Sequence, residues 1–145
     1  MLAALGPPKR IPWVAALESG PDKRPIREQL VEHARVMSGY FQDLQAGLGI
    51  LQAAGIDSGK AYEGCQGGDS QPIHAYRALV AWLERAQGQG RLAPCNVETL
   101  ASTILSALHG WAFTARVCSE SAAAGPHYVE GFIELLWNGI GGMDR

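Results

Sequence analysis

Residues Gly125–Ile140 read GPHYVEGFIELLWNGI. On a wheel of about 100° per residue, His127, Glu130, Glu134 and Asn138 fall in one narrow stripe, and everything else is apolar or glycine. Tyr128, Phe132, Leu135 and Gly139 make one apolar face. Val129, Ile133, Leu136 and Ile140 make a second beside it, with Trp137 at the margin. One face suffices to pack on the chain's own core, so the second calls for another cover.

The segment upstream repeats the pattern. In the helix that opens with NVETLASTILSALHGWAF, from Asn96, an apolar arc of Leu100, Ile104, Ala107, Leu108, Trp111 and Ala115 faces a side of Thr99, Ser102, Thr103, Ser106 and Gly110. A solvated helix of this length normally carries Lys or Glu on its outer face. Small uncharged side chains instead let a second helix approach to the usual 8–10 Å between axes. Two consecutive helices with excess apolar surface predict a homodimer that pairs them with their copies, through an obligate interface of more than about 2,000 Å². The residues expected to form it are Ser102, Ser106, Gly110, Val129, Phe132, Ile133, Leu136, Trp137 and Ile140. Full enclosure of both helices in a monomeric bundle is the competing arrangement.

The rest of the chain is also helical in pattern. Periods near 3.6 recur and no strand-like alternation lasts more than a few residues, so the fold class is all-α. A short helix is expected at Trp13–Ser19, closed by Gly20-Pro21. A long one opens at Asp22–Pro25, with Leu30, Ala34, Met37, Phe41, Leu44, Leu48 and Leu51 on one face. Gly39, Gly47 and Gly49 each cost roughly 0.5–1 kcal/mol relative to Ala, which predicts a bend or break near Gly47. Residues 55–71 are a glycine-rich connection, with room for a helical turn around Lys60–Glu63. Ser70 is placed to cap the next helix, and Asn96 to cap the one after it, with Glu98 near its positive end. That helix is expected to reach about Cys118, and the last to start at Pro126.

At 145 residues and 47% apolar, the chain is most simply one domain, residues 1–145, in which 1–24 form a partial linker helix and loop. A net charge of −2 gives no general reason to expect nucleic acid or an anionic membrane. The six Lys and Arg of residues 1–35 against four acidic residues are too slight a bias for a binding patch. Three cysteines without paired spacing exclude a disulfide framework or zinc knot and point to a cytoplasmic protein. The N-terminus lacks the pattern of a signal peptide, and the longest uncharged stretch of the second half is too polar to span a membrane.

Enzymatic motifs are not found. GIDSGKA has three residues between Gly55 and Gly59 where a phosphate-binding loop needs four, and Ala61 follows Lys60. His33, His74, His109 and His127 show no metal-ligand spacing. Neither a cofactor nor a metal is expected. A ligand cavity fits better: interior glycines beside large aromatics leave gaps between helices bounded by flat rings. The candidates to line it are Met37, Tyr40, Phe41, Tyr76, Trp82, His109 and Phe113, with ordinary core packing as the alternative for each.

The two C-terminal segments also carry a resemblance. An acidic helix start at Glu98, then Ala101 and Gly110, is followed by aromatic-Val-Glu at Tyr128-Val129-Glu130 and by Leu135, Leu136 and Gly139. This resembles the end of TetR-family transcriptional regulators. Upstream, PIREQLVEHARVMSGYF and AYRALVAWLERAQGQGRLAP are similar to that family's ligand-domain helices, and GQGRLAP to the link before its dimer helices. The resemblance covers most of residues 1–140 in helix order. It implies a four-helix bundle across a dimer axis and a small apolar or aromatic effector. It also implies transcriptional regulation by a parent protein. TetR-type proteins begin with a helix-turn-helix that is absent here, and Met1–Leu5 looks like the helix that would connect it. DNA would be bound only through that missing N-terminal module. The alternative is a free-standing helical interaction module that pairs with other regulators.

Overall fold

The computed structural model describes residue 11 and residues 13–55, 71–118 and 125–139. Within them the fold is all-α, with five helices: α1 Val14–Glu18, α2 Ile26–Ala53, α3 Gln71–Gly88, α4 Val97–Val117 and α5 Gly125–Asn138. Among the described residues there is no strand, and no helix is long and apolar enough to cross a membrane. The expected turn at Lys60–Glu63 and the cap at Ser70 lie outside the described residues.

Each boundary has a local cause. α1 ends at Gly20, whose φ of +80° suits a residue without a side chain. A Cβ there would also collide with the Arg85 guanidinium. Buried Gln29 then holds the turn into α2. Its Oε1 accepts from the Asp22 amide at 2.9 Å, and its Nε2 donates to the carbonyls of Asp22 and Arg24 at 3.2 and 2.6 Å. Pro25, extended at φ −53° and ψ 136°, stands at the N-cap. α3 closes in a Schellman motif: the Arg91 amide donates to Ala86 O and the Gly90 amide to Gln87 O, with Gly90 at φ +73°. α4 is capped by Asn96, whose Oδ1 accepts from the Thr99 amide at 3.0 Å.

Contrary to the expected break near Gly47, α2 runs uninterrupted through Gly39, Gly47 and Gly49. No side chain would be crowded by a Cβ at Gly39 or Gly47, so their helical cost is met by packing elsewhere along the helix. Leu30, Ala34, Met37 and Leu48 are all buried.

α2 is the central element. It packs along α4 and against α5, while α3 packs on α4 and α1 on α3. The core is therefore continuous from Trp13, Val14 and Leu17 through Leu79, Trp82 and Leu83 to Ile104, Leu108, Val129 and Ile133. Leu79, Leu83, Ile104, Leu108 and Ile133 are wholly enclosed. Each contributes roughly 1.5–3 kcal/mol relative to exposure.

The wheel of α5 resolves into an inner and an outer side. Val129 and Ile133 meet α2 and the core of the same chain, which corrects their expected place in a dimer interface: a single copy already covers them. Tyr128 is half-buried, stacked on Trp111 with ring centroids 4.5 Å apart, and its hydroxyl donates to Ala107 O at 3.4 Å. Burial pushes its phenol above the usual range. Leu135 and Trp137 face outward, 53% and 41% exposed, and Phe132 and Leu136 are half-buried. On α4, Ser102 and Ser106 are exposed and Gly110 is half-exposed. Ile140 lies outside the described residues.

Candidate functional site

Where α1, α2, α3 and α4 converge, a cleft of about 290 Å³ opens. Its aromatic walls are Trp13, Tyr40, Phe41 and His109, and its aliphatic lining is Ile11, Leu44, Pro72, Ala75 and Leu105, with Ser106 on the α4 side. The rings stand edge to face around it. Trp13 and Tyr40 are 6.2 Å apart at 78°, Tyr40 and Phe41 5.6 Å at 70°, and Phe41 and His109 5.3 Å at 84°. This is the preferred geometry of ring quadrupoles, and it fixes a rigid apolar wall. The volume lies at the lower edge of the range of small-molecule sites, roughly 300–1,000 Å³.

Of the residues expected to line a cavity, the structure brings Tyr40, Phe41 and His109 together here. Met37 and Trp82, each 1% exposed, are core residues that do not line this cleft, because they pack among the helices of the core. Tyr76 is half-buried against the core and does not line the cleft. Phe113 points outward, 48% exposed, with the Arg116 guanidinium 5.6 Å over its ring.

Three residues singled out by no sequence pattern complete the site. Gln45, 3% exposed, lies between α2 and α4. Its Oε1 accepts from Arg116 Nε at 2.8 Å, and its Nε2 lies 3.3 Å from His109 Nε2. Arg116 also donates from Nη1 to Gln52 Oε1 at 3.0 Å. A relay of polar groups thus runs from exposed Gln52 through Arg116 and Gln45 to His109, which lines the cleft. The third residue is Trp13. It is 3% exposed, and its indole N–H, like that of Trp82, is buried with no hydrogen-bond partner among the described residues. Such a group costs on the order of 1–3 kcal/mol.

Polar groups elsewhere have structural roles. Arg24 bridges Asp22 at 2.8 Å and Glu32 at 2.6 Å, and its hydrogen bonds hold the Asp22 carboxyl below its usual range. Arg35 pairs with Glu130, tying α2 to α5. Both partners are half-exposed, and pairs of that kind are worth about 0–1 kcal/mol. His33 packs edge-on against Trp82 at 5.2 Å, and burial lowers its affinity for a proton. Among the described residues no group of three His, Cys, Asp or Glu is placed to hold a metal ion.

Comparison with family models, with curated proteins and with solved structures finds no match for this chain. What its geometry defines, among the described residues, is a helical bundle with an aromatic cleft and a polar relay that reaches His109 through buried Gln45.

Proposed function

We propose that this chain is the effector-binding and dimerisation domain of a TetR-like transcriptional regulator. A small apolar or aromatic molecule occupies the cleft, and two copies pair through the outer sides of α4 and α5. DNA is read only by a helix-turn-helix that a full-length parent would carry.

The carrying observation is that α4 lines the cleft and also leaves small uncharged side chains exposed. It gives Leu105, Ser106 and His109 to the cleft, while Ser102 and Ser106 stand on its uncharged outer side. A ligand against that helix is in position to bias how two copies meet, and any such coupling needs the ligand to favour one pairing geometry over the other. Leu135 and Trp137 supply apolar surface on the neighbouring helix.

Sedimentation velocity across micromolar concentrations tests pairing, with a dimer expected. A monomer at every concentration would remove that half of the proposal. Isothermal titration with small aromatic compounds tests the cleft.

A further inference from the structure

We infer that the groove between α2 and α4 is a second ligand site, which takes a small monocarboxylate with an aromatic body and holds it on Arg116. The site is separate from the effector cleft and does not depend on it.

The groove measures about 290 Å³. Ala46 on α2 and Trp111, Ala112 and Ala115 on α4 give it apolar surface. Trp111 is braced by Tyr128, whose ring stacks on it at 4.5 Å. Arg116 is the one charged residue of the lining among the described residues, and Gln42 and Gln45 are its uncharged polar groups. The arginine crosses from α4 to α2, where it meets Gln45, Gly49 and Gln52; a Cβ on Gly49 would lie 3.6 Å from its Cδ. The α2 residues of the groove are Gln42, Gln45 and Ala46. The guanidinium therefore stands at the end of the groove nearer the C-terminus of α2.

The way this arginine is held is the second observation. Arg24 and Arg35 pair with carboxylates. Arg116 is held by neutral groups instead: Nε donates to Gln45 Oε1 at 2.8 Å, Nη1 donates to Gln52 Oε1 at 3.0 Å, and the Phe113 ring lies under the charge at 5.6 Å. No ion pair joins it, and Nη2 has no hydrogen bond, among the described residues. Two amide oxygens fix the plane of the guanidinium and leave its charge uncompensated. A glutamate at position 45 would cancel that charge. The buried glutamine found there positions the fork and keeps it positive.

A carboxylate completes this arrangement. It is planar, accepts from two N–H groups of a guanidinium at once, and makes charge-assisted bonds roughly twice as strong as neutral ones. One cation matches one negative charge, so a monoanion is preferred to a dianion, whose second charge would lose hydration without a counter-ion. The alanines leave room for a flat apolar body beside Trp111.

The test titrates the purified chain with benzoate, benzamide and acetate, followed by NMR of the arginine Nε–H and tryptophan indole signals. Benzoate is expected to bind about tenfold tighter than benzamide, the difference between a charge-assisted and a neutral hydrogen bond, and tighter than acetate, which lacks the ring. It moves the Arg116 Nε–H and Trp111 indole signals, assigned by Arg116→Met and Trp111→Phe. Added salt weakens benzoate and leaves benzamide unchanged. Arg116→Met, checked for its helical signal, binds benzoate no better than benzamide. Ethylbenzene, a probe of the apolar cleft, does not displace benzoate. Equal affinities of benzoate and benzamide for the wild-type chain, a comparison that needs no variant to fold, overturn the inference. So does undiminished benzoate binding by Arg116→Met, or displacement by ethylbenzene. Failure of ethylbenzene to bind counts against the effector cleft alone.

Discussion

Gln45→Leu tests whether the relay is a structural unit. The side chain is 3% exposed, and leucine is one heavy atom shorter, so the substitution removes the polar amide at a small loss of volume. It removes the acceptor of Arg116 Nε at 2.8 Å and the neighbour of His109 Nε2 at 3.3 Å. A hydrogen bond to a charged group is worth about 1.5–3 kcal/mol. Arg116 is only half-buried and keeps Gln52, so solvent screening reduces its share to about 1 kcal/mol. The loss at His109 adds about 0.5–1 kcal/mol, and leucine's apolar burial returns part of it. The net expectation is a destabilisation of about 1–1.5 kcal/mol, a fall in Tm of roughly 3–6 °C. The stronger test is the cycle with Arg116→Met. The double variant leaves fewer unpaired groups than the two single variants leave between them, because the Gln45–Arg116 bond is lost only once. The double variant should then be less destabilised than the sum of the singles, by about 1 kcal/mol. The assay is urea unfolding followed by circular dichroism at fixed pH. Additivity within about 0.3–0.5 kcal/mol, or a Gln45→Leu protein as stable as wild type, would refute the reasoning.

Ile133→Ala removes a wholly enclosed side chain between α5 and α2, and urea unfolding should show a loss of about 2–5 kcal/mol; less than 1 kcal/mol would mean that α5 is not docked there. Asn96→Ala, which deletes the acceptor for the Thr99 amide, should cost about 1 kcal/mol, with Asn96→Asp close to neutral. Burial disfavours the charged form of His33, so its folded pKa lies below the unfolded value of 6.5. As pH falls below about 6.5 the unfolded chain takes up a proton that the native state resists, and stability drops. His33→Phe should flatten that part of the pH–stability curve, and an unchanged slope would assign it to other groups. Leu135→Glu with Trp137→Glu alters only exposed side chains and should abolish self-association in sedimentation while leaving the helical signal intact.

Helices were legible wherever polar punctuation met apolar period. Asn96 before Val97 and Gly20-Pro21 after Leu17 each marked a boundary that the backbone then took for a stated reason. The glycines of α2 misled, because propensity counts the residue alone. A 28-residue helix buried along α4 and α5 has enough tertiary contact to carry three glycines without a break. The wheel of α5 gave two apolar faces of similar size and no way to rank them. The neighbour decides that question: Val129 and Ile133 reach α2, and Arg35 on α2 reaches Glu130 beside them. Leu135 and Trp137 are left on the outside.

The site was less legible because its deciding residues are polar groups inside apolar stripes. Gln45 stands four residues after Phe41 and three before Leu48, on the inward side of α2. Gln29 stands three after Ile26, in the same relation. Both are buried, and both are bound at each end of their amides. A glutamine in register with a helix's buried face has to find partners on another element, since burial without them costs more than its apolar stem returns. That rule predicts a partner without naming it. Arg116 and Gln45 are 71 residues apart in sequence, and only the packing of α4 on α2 puts the guanidinium beside the amide. The packing of α4 on α2 also brings His109 and Phe41 into contact, so the contact that positions the cleft also sets the chemistry at its back wall.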